Sequence, residues 1–487
     1  MGKLLVIGID GLDLIQLSIL NKYLPNFNKV RHGHSDVNFT SIFPPDSIPA
    51  WGSIYTGLNP AQHGIVEFID PNNRDRKIVF NDIYKYYKGK TFWDYVSDRG
   101  KRVCILLPYS IYPPWPVNGV MVCRTLEIVD EDYPLKTYPD DVYEKFRLSD
   151  FNVNLFHGFP SKRNLEKFAN SCKRRTIEEG ELGIRFLKDF DANFYFIYFS
   201  ALDAIQHTFW NYYDEGHPDY VEKKIFNDVI KDFYILFDGL IGRFLDNIDQ
   251  ETTVIILSDH GHGMRPVKLV NVNEILRRKG FLNPIRRRSL KKPLLKKELM
   301  KKILANFIGK VGIGNSALRL LNKFPILKSS IATADYIDWE TTVAYLSAIS
   351  GIKSYPEGGI LINKKFHDSD YYQIRENVIN ELAEIKDRET SENLMKWICR
   401  REELYQGDFI TKYPDIIFEL KEGYGVGWDI QGEIIGKSSM SRFQPGSHRR
   451  YSPVFLISNL DNHVRIKKDL TLMDIKPIIL DILGINN

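Results

Sequence analysis

The stretch TTVIILSDHGHGM, residues 252–264, opens as a dry, β-branched run and ends abruptly in Asp259, His260, Gly261, His262 and Gly263. A short continuous apolar run closed by turn residues reads as a strand covered on both faces, the kind found in parallel sheets. Carboxylates and imidazoles are costly in a dry interior unless they are paired or bind a cation. At the tip of such a strand they stand at the edge of the sheet, where open α/β folds bind their ligands.

Working outward, five further runs have the same character: KLLVIGID (3–10), RVCILLPY (102–109), NFYFIYFS (193–200), DIIFEL (415–420) and SPVFLIS (452–458). SCKRRTIEEGELGIRFLKDF (171–190) and VEKKIFNDVIKDFYILFDGLIGRFLDNI (221–248) instead carry apolar residues at helical spacing. This alternation predicts an α/β fold around a mostly parallel sheet. At 487 residues the chain exceeds one ordinary core, so insertions or two to three domains are expected. We place the core in 1–283 and 336–487, with cap-type insertions around 66–190 and 340–410. Between the two halves, 284–335 differs in composition. Arg286, Arg287, Arg288, Lys291, Lys292, Lys296, Lys297, Lys301 and Lys302 are opposed only by Glu298, and apolar residues follow at helical spacing. This basic helical insertion reads as a lid, or as a surface at 284–302 for an acidic membrane or nucleic acid.

Hydrophobic residues make up 43% and charged residues 26%, an ordinary globular balance, and a net charge of +4 is too small to argue for a nucleic-acid partner. Cys104, Cys123, Cys172 and Cys399 are scattered with no C-x-x-C, which argues against thiolate zinc or a disulfide framework and for a reducing, cytoplasmic setting. No apolar run reaches transmembrane length. MGKLLVIGID at the start has too short an apolar run for a signal peptide and no cleavage site after it, so it reads as the first strand.

Several strand ends carry groups able to do chemistry. Asp10 closes the first strand before a permissive Gly11; the plain alternative is a turn or N-cap aspartate. Asp203 and His207, in YFSALDAIQHTFW, are four apart and share one face if a helix starts there, which lets both donate to one cation. His448 lies in QPGSHRRYSPVFLIS, on a loop feeding a core strand. Ser47 sits among Pro44, Pro45 and Pro49, where it could cap the helix that follows. A serine needs a base or a metal to become a nucleophile, and G-x-S-x-G is absent around it.

In this order, GIDGLD, FPPDSIPAWGSIYTGLNPAQHGI, SALDAIQHTFW with LSDHGHGM, and GSHRRYSPVFLIS together resemble the alkaline phosphatase superfamily, specifically its type I phosphodiesterase / nucleotide pyrophosphatase branch. The tail LTLMDIKPIILDILGI (470–485) resembles that family's closing helix. The resemblance implies an alkaline-phosphatase-like three-layer α/β/α sandwich with cap or lid insertions. It implies two divalent metal ions, zinc or manganese. Asp10, Ser47, Asp259 and His260 would hold one, and Asp203, His207 and His448 the other. It implies double displacement, with Ser47 attacking phosphorus and a metal-bound hydroxide resolving the phosphoserine. The expected substrate is a small phosphate ester or nucleotide, cleaved at a phosphodiester or pyrophosphate bond. Phosphomonoesters and phosphonates are alternatives within the superfamily, and a non-catalytic binding protein using 284–302 is the alternative outside it. His63 and His262 are assigned to structure.

The sequence also departs from its relatives. Eukaryotic-type members carry threonine as nucleophile and an asparagine three residues later, where this chain has Ala50, which leaves the diester-over-monoester preference open. A sulfatase would need arginine where SIPAW has Trp51, and the serine block of a cofactor-independent phosphoglycerate mutase is not evident.

Overall fold

The computed structural model of the chain describes residues 2–31, 37–66, 83–124, 135–151, 160–285, 337–347, 349, 354–366, 370–430, 432–438, 440–460 and 464–485. Nearly all of the basic segment falls outside the described residues. Its flanks meet: Pro284 bridges Ile337, and the Asp338 N–H donates to the Asn283 carbonyl at 2.8 Å. The two flanks of this segment therefore lie side by side.

The apolar runs assemble into a seven-stranded sheet, ordered Phe455–Ser458, Thr253–Leu257, Leu4–Ile9, Phe194–Phe199, Val103–Leu106, Gly119–Arg124 and Leu135–Tyr138. The five central strands are parallel, and the two edge strands run antiparallel to their neighbours. Three of the seven come from residues 103–138, so that stretch feeds the central sheet as well as any cap.

Side chains alternate across a strand, and the first strand shows the result. Leu5, Ile7 and Ile9 point into one core with the helices Leu165–Asp189, Ala201–Tyr213 and Val229–Leu245. Leu4 and Val6 point into the other, with the helices Ser47–Thr56, Phe92–Asp98 and Ile475–Ile482. Both faces are thus covered, and this is why the strands are apolar throughout rather than alternating. The architecture is a three-layer α/β/α sandwich.

One run goes elsewhere. DIIFEL reads like a strand of the central sheet, yet Ile416–Leu420 lies in a separate antiparallel sheet ordered Ala344–Leu346, Glu357–Ile362, Ile416–Leu420, Met395–Arg400. Apolar burial does not say which sheet a strand joins. This second sheet has its own core, to which Val378 and Leu382 of the helix Tyr371–Ala383 contribute. Among the described residues no helix is long and apolar enough to cross a membrane.

Candidate metal centre

Three parallel strands deliver acidic groups to one edge of the sheet. Asp10 follows Leu4–Ile9. It is not a cap; Asp13 caps the next helix, its carboxylate accepting from the Gln16 N–H. The Tyr198 hydroxyl donates to Asp10 Oδ2 at 2.6 Å and the Trp51 indole N–H at 3.2 Å, while Oδ1 is buried without a hydrogen-bond partner. Gly11 has φ +68°, and a Cβ there would lie 3.2 Å from Asp203, so this turn and the close approach both suit glycine. Its N–H donates to Asp259 Oδ1 at 3.2 Å, and Asp259 Oδ2 is again buried without a partner. Asp203 lies in the first turn of the helix Ala201–Tyr213, and its Oδ1 is likewise buried and unpartnered. Asp10 and Asp259 thus each tie one oxygen down, and all three carboxylates leave one buried oxygen without a hydrogen-bond partner.

Imidazoles complete the ring. His207, one turn after Asp203, has Nε2 3.4 Å from Asp203 Oδ1. His448 is on a short strand, Gly446–Arg449, rather than a loop. This strand pairs antiparallel with Gly261–Met264, which sets His448 opposite His262. The short ribbon brings His448 Nε2 to 2.9 Å from His207 Nε2 and 3.4 Å from Asp203 Oδ1. His260 Nε2 lies 3.2 Å from Asp259 Oδ2, 3.5 Å from Asp10 Oδ1 and 3.1 Å from Ser47 Oγ. Ser47 is the first residue of its helix, not the cap; Asp46 holds the cap position. The seven residues singled out in the sequence therefore converge.

The protonation pattern tests whether cations fit. In His207, His260 and His448, Nδ1 faces a backbone carbonyl: Gly446 at 2.9 Å, Gly261 at 3.0 Å and Pro45 at 2.7 Å. A carbonyl only accepts, so each Nδ1 carries the proton and each Nε2 presents a lone pair. Lone pairs and carboxylate oxygens facing one another about 3 Å apart repel unless a cation lies between them. Ligands about 2.0–2.1 Å from a tetrahedral ion are about 3.3–3.4 Å from each other, which matches these separations. These separations suit cation ligation at Asp10, Asp259 and His260, with Ser47 Oγ beside them, and around Asp203 Oδ1, where His207 and His448 converge.

Burial supports this. It pushes the Asp10 and Asp259 carboxyls well above the usual range, with neighbouring carboxylates adding to the effect in both. Burial also lowers His207 and His448 to about 3, which keeps them neutral and able to ligate. His63 lies apart. Its Nδ1 accepts the Ile65 N–H at 3.2 Å, so its Nε2–H donates to Ser53 Oγ at 3.1 Å. His262 does not lie apart. Its buried ring has Nε2 3.5 Å from Asp203 Oδ1.

Some supporting residues were not singled out in the sequence. Tyr198 and Trp51 orient Asp10, and Trp51 occupies the place a sulfatase would give to arginine. Buried Arg265 donates to the Gly446 carbonyl at 2.8 Å, steadying the acceptor that sets the His207 tautomer. Asp13 Oδ2 accepts the His262 N–H at 3.0 Å. Tyr198 looks like any apolar member of its strand, and Arg265 like any surface cation. Only their position directly beside motif residues could have marked them.

Residues 4–441 match the type I phosphodiesterase / nucleotide pyrophosphatase family. The chain belongs to that family. It is accordingly a phosphoesterase of the nucleotide pyrophosphatase/phosphodiesterase type, acting on phosphate ester bonds. No curated protein matches it. Among solved structures it is similar to phosphonoacetate hydrolase from Sinorhizobium meliloti 1021. The phosphonoacetate complex has a TM-score of 0.57 at 12% identity, and the phosphonoformate complex 0.54 at 13%; each covers 100% of this chain and 96% of the other. A murine ectonucleotide pyrophosphatase / phosphodiesterase 5 aligns at a TM-score of 0.49 and 13% identity, covering 100% of this chain and 96% of that one. The phosphonoacetate hydrolase likeness shows the alkaline-phosphatase-like fold.

Proposed function

We propose that the chain is a two-metal phosphohydrolase that cleaves phosphodiester or nucleotide pyrophosphate bonds through a phosphoserine on Ser47. The observation that carries this reading is the convergence of three unpartnered carboxylate oxygens and the Nε2 atoms of His207, His260 and His448 on one cluster, with His260 Nε2 3.1 Å from Ser47 Oγ. Two divalent cations, zinc or manganese, would supply Lewis-acid charge for the attacking and leaving oxygens and lower the pKa of bound water.

The chain's own residues do the rest. Ser47, as the first residue of the helix Ser47–Thr56, presents its Oγ as a nucleophile beside the first-turn N–H groups of Ser47 and Ile48. Those groups and the helix dipole favour the phosphoryl anion next to them. Attack of Oγ on phosphorus forms the Oγ–P bond as the bond to the leaving oxygen breaks; water then cleaves Oγ–P and regenerates Ser47. Asp10, locked by Tyr198 and Trp51, keeps one oxygen aimed inward throughout. The carbonyls of Gly446, Gly261 and Pro45 hold His207, His260 and His448 in the ligating tautomer.

The test is hydrolysis of p-nitrophenyl phosphate, its bis-p-nitrophenyl diester, a dinucleoside polyphosphate and phosphonoacetate, with Zn²⁺, with Mn²⁺ and after EDTA. Ser47→Ala runs in parallel. The expected result is chelator-sensitive cleavage of the diester or pyrophosphate, reduced on the order of 10³-fold or more in the variant. Undiminished turnover by folded Ser47→Ala would rule out the phosphoserine, and turnover of phosphonoacetate alone would replace the substrate class.

A further inference from the structure

His262 lies beside the site described above, and the seven-residue ligand set leaves it without a role. Its ring is fully buried, yet neither Nδ1 nor Nε2 has a hydrogen-bond partner among the described residues. A buried imidazole with both nitrogens unsatisfied is destabilising unless something else engages it. The three other rings of the cluster each anchor Nδ1 on a carbonyl; this one does not. It is held instead by packing, stacked on Trp210 with centroids 5.6 Å apart and edge-on to His207 at 4.6 Å.

The distances say where it points. Asp203 Oδ1 has three imidazole nitrogens around it: His207 Nε2 at 3.4 Å, His448 Nε2 at 3.4 Å and His262 Nε2 at 3.5 Å. His207 and His448 are lone-pair donors by tautomer, and His262 stands at the same separation from the same oxygen. Asp203, His207 and His262 offer ligand atoms that all lie within 4.8 Å of one another. The close fit is built in by Gly446, where a Cβ would meet His262 Cε1 at 2.6 Å. The register agrees: His262 lies directly opposite His448 across the two-stranded ribbon, so both side chains stand on one side of it.

We propose that His262 Nε2 is a fourth protein ligand of the cation held by Asp203, His207 and His448. This rests on the two-metal reading above. It makes the second site an Asp–His₃ set, richer in nitrogen than the first. With four protein ligands, this ion has no free position at coordination number four and must expand its shell to meet substrate.

The experiment titrates metal-free protein with Co²⁺, following bound equivalents and the visible absorption of the ion, which weakens as coordination number rises. Wild type, His207→Ala, His262→Ala and His262→Phe are compared, with circular dichroism to confirm folding. His262→Phe keeps a ring against Trp210 and removes the ligand atom. The expected result is two equivalents in wild type, with one of them held at least about 10-fold more weakly in both His262 variants and its band altered. Unchanged affinity and spectrum in folded His262→Phe would overturn the inference while leaving the two-metal reading intact. Fewer than two equivalents in wild type, or two retained at full affinity in His207→Ala, would overturn that reading and the inference with it.

Discussion

At the scale of single residues, the centre is decided by what holds each ligand still. Asp10 shows this best. One oxygen is tied down by Tyr198 and Trp51 and the other left bare, so its aim is fixed before any ion arrives. Removing the shorter of these bonds should loosen that aim without touching a ligand. Tyr198→Phe is therefore expected to weaken metal binding by about 10- to 100-fold with the fold preserved, read by chelator competition. An unchanged affinity would mean that Trp51 alone suffices. Such partners were hard to see in the sequence because a tyrosine among FYFIYF is indistinguishable from core filling until its hydroxyl is placed. The clustered residues themselves were legible because charged and imidazole side chains are rare at the tips of dry strands.

At the scale of elements, the first strand and the helix Ser47–Thr56 are fitted to each other at Gly8. A Cβ there would come within 2.6 Å of the Trp51 indole, which is fully buried and edge-on to Tyr198 at 5.0 Å. Gly8→Ala should cost about 1–3 kcal/mol by overpacking. Because it displaces the indole from Asp10, it should also lower metal affinity, which a remote core substitution of equal cost would not do. Chemical denaturation together with metal titration separates the two effects. Element identity was well marked in the sequence: 3–10, 193–200 and 252–259 are strands of the central sheet, and 171–190 is helical. Sheet membership was less so. DIIFEL carries the same apolar signal as its counterparts but pairs with 357–362 and 395–400 in the second sheet, and no local property of six residues encodes that choice.

At the scale of the whole molecule, folding gathers like charges that the unfolded chain keeps apart. Without cations, burial holds Asp10 and Asp259 protonated well above the usual carboxylate range. The unfolded chain releases those protons near the ordinary value, so the metal-free native state binds more protons than the unfolded one. Stability contributed by these two groups must then fall as pH rises from the ordinary carboxylate range upward. Bound cations reverse the sign, since the ligands are then ionised in the native state and acid releases the metal. Calorimetry in EDTA at about pH 5.5 and about pH 8.5 should show metal-free wild type losing more stability at the higher pH than metal-free Asp10→Asn. Saturating Zn²⁺ should raise the melting temperature most at the higher pH, by an amount equivalent to about 2.7 kcal/mol at 100 times the dissociation constant. Equal pH dependence of the two metal-free proteins would show that Asp10 ionises freely in the fold.

The sequence by itself determined the layers and the residue types of the cluster. Burial on both faces forces continuous apolar strands, and a cation site forces carboxylates and imidazoles at their tips, so both are written locally, as in TTVIILSDHGHGM. Tertiary structure alone decided which oxygen of Asp10 is free, that Ser47 opens its helix rather than capping it, that His448 reaches the site on a paired strand, and that His262 stands inside the cluster. Each of these depends on contacts between segments up to some four hundred residues apart, such as the Pro45 carbonyl on His448 Nδ1. Spacing along a chain fixes which residues can share a face; only packing fixes which of them meet.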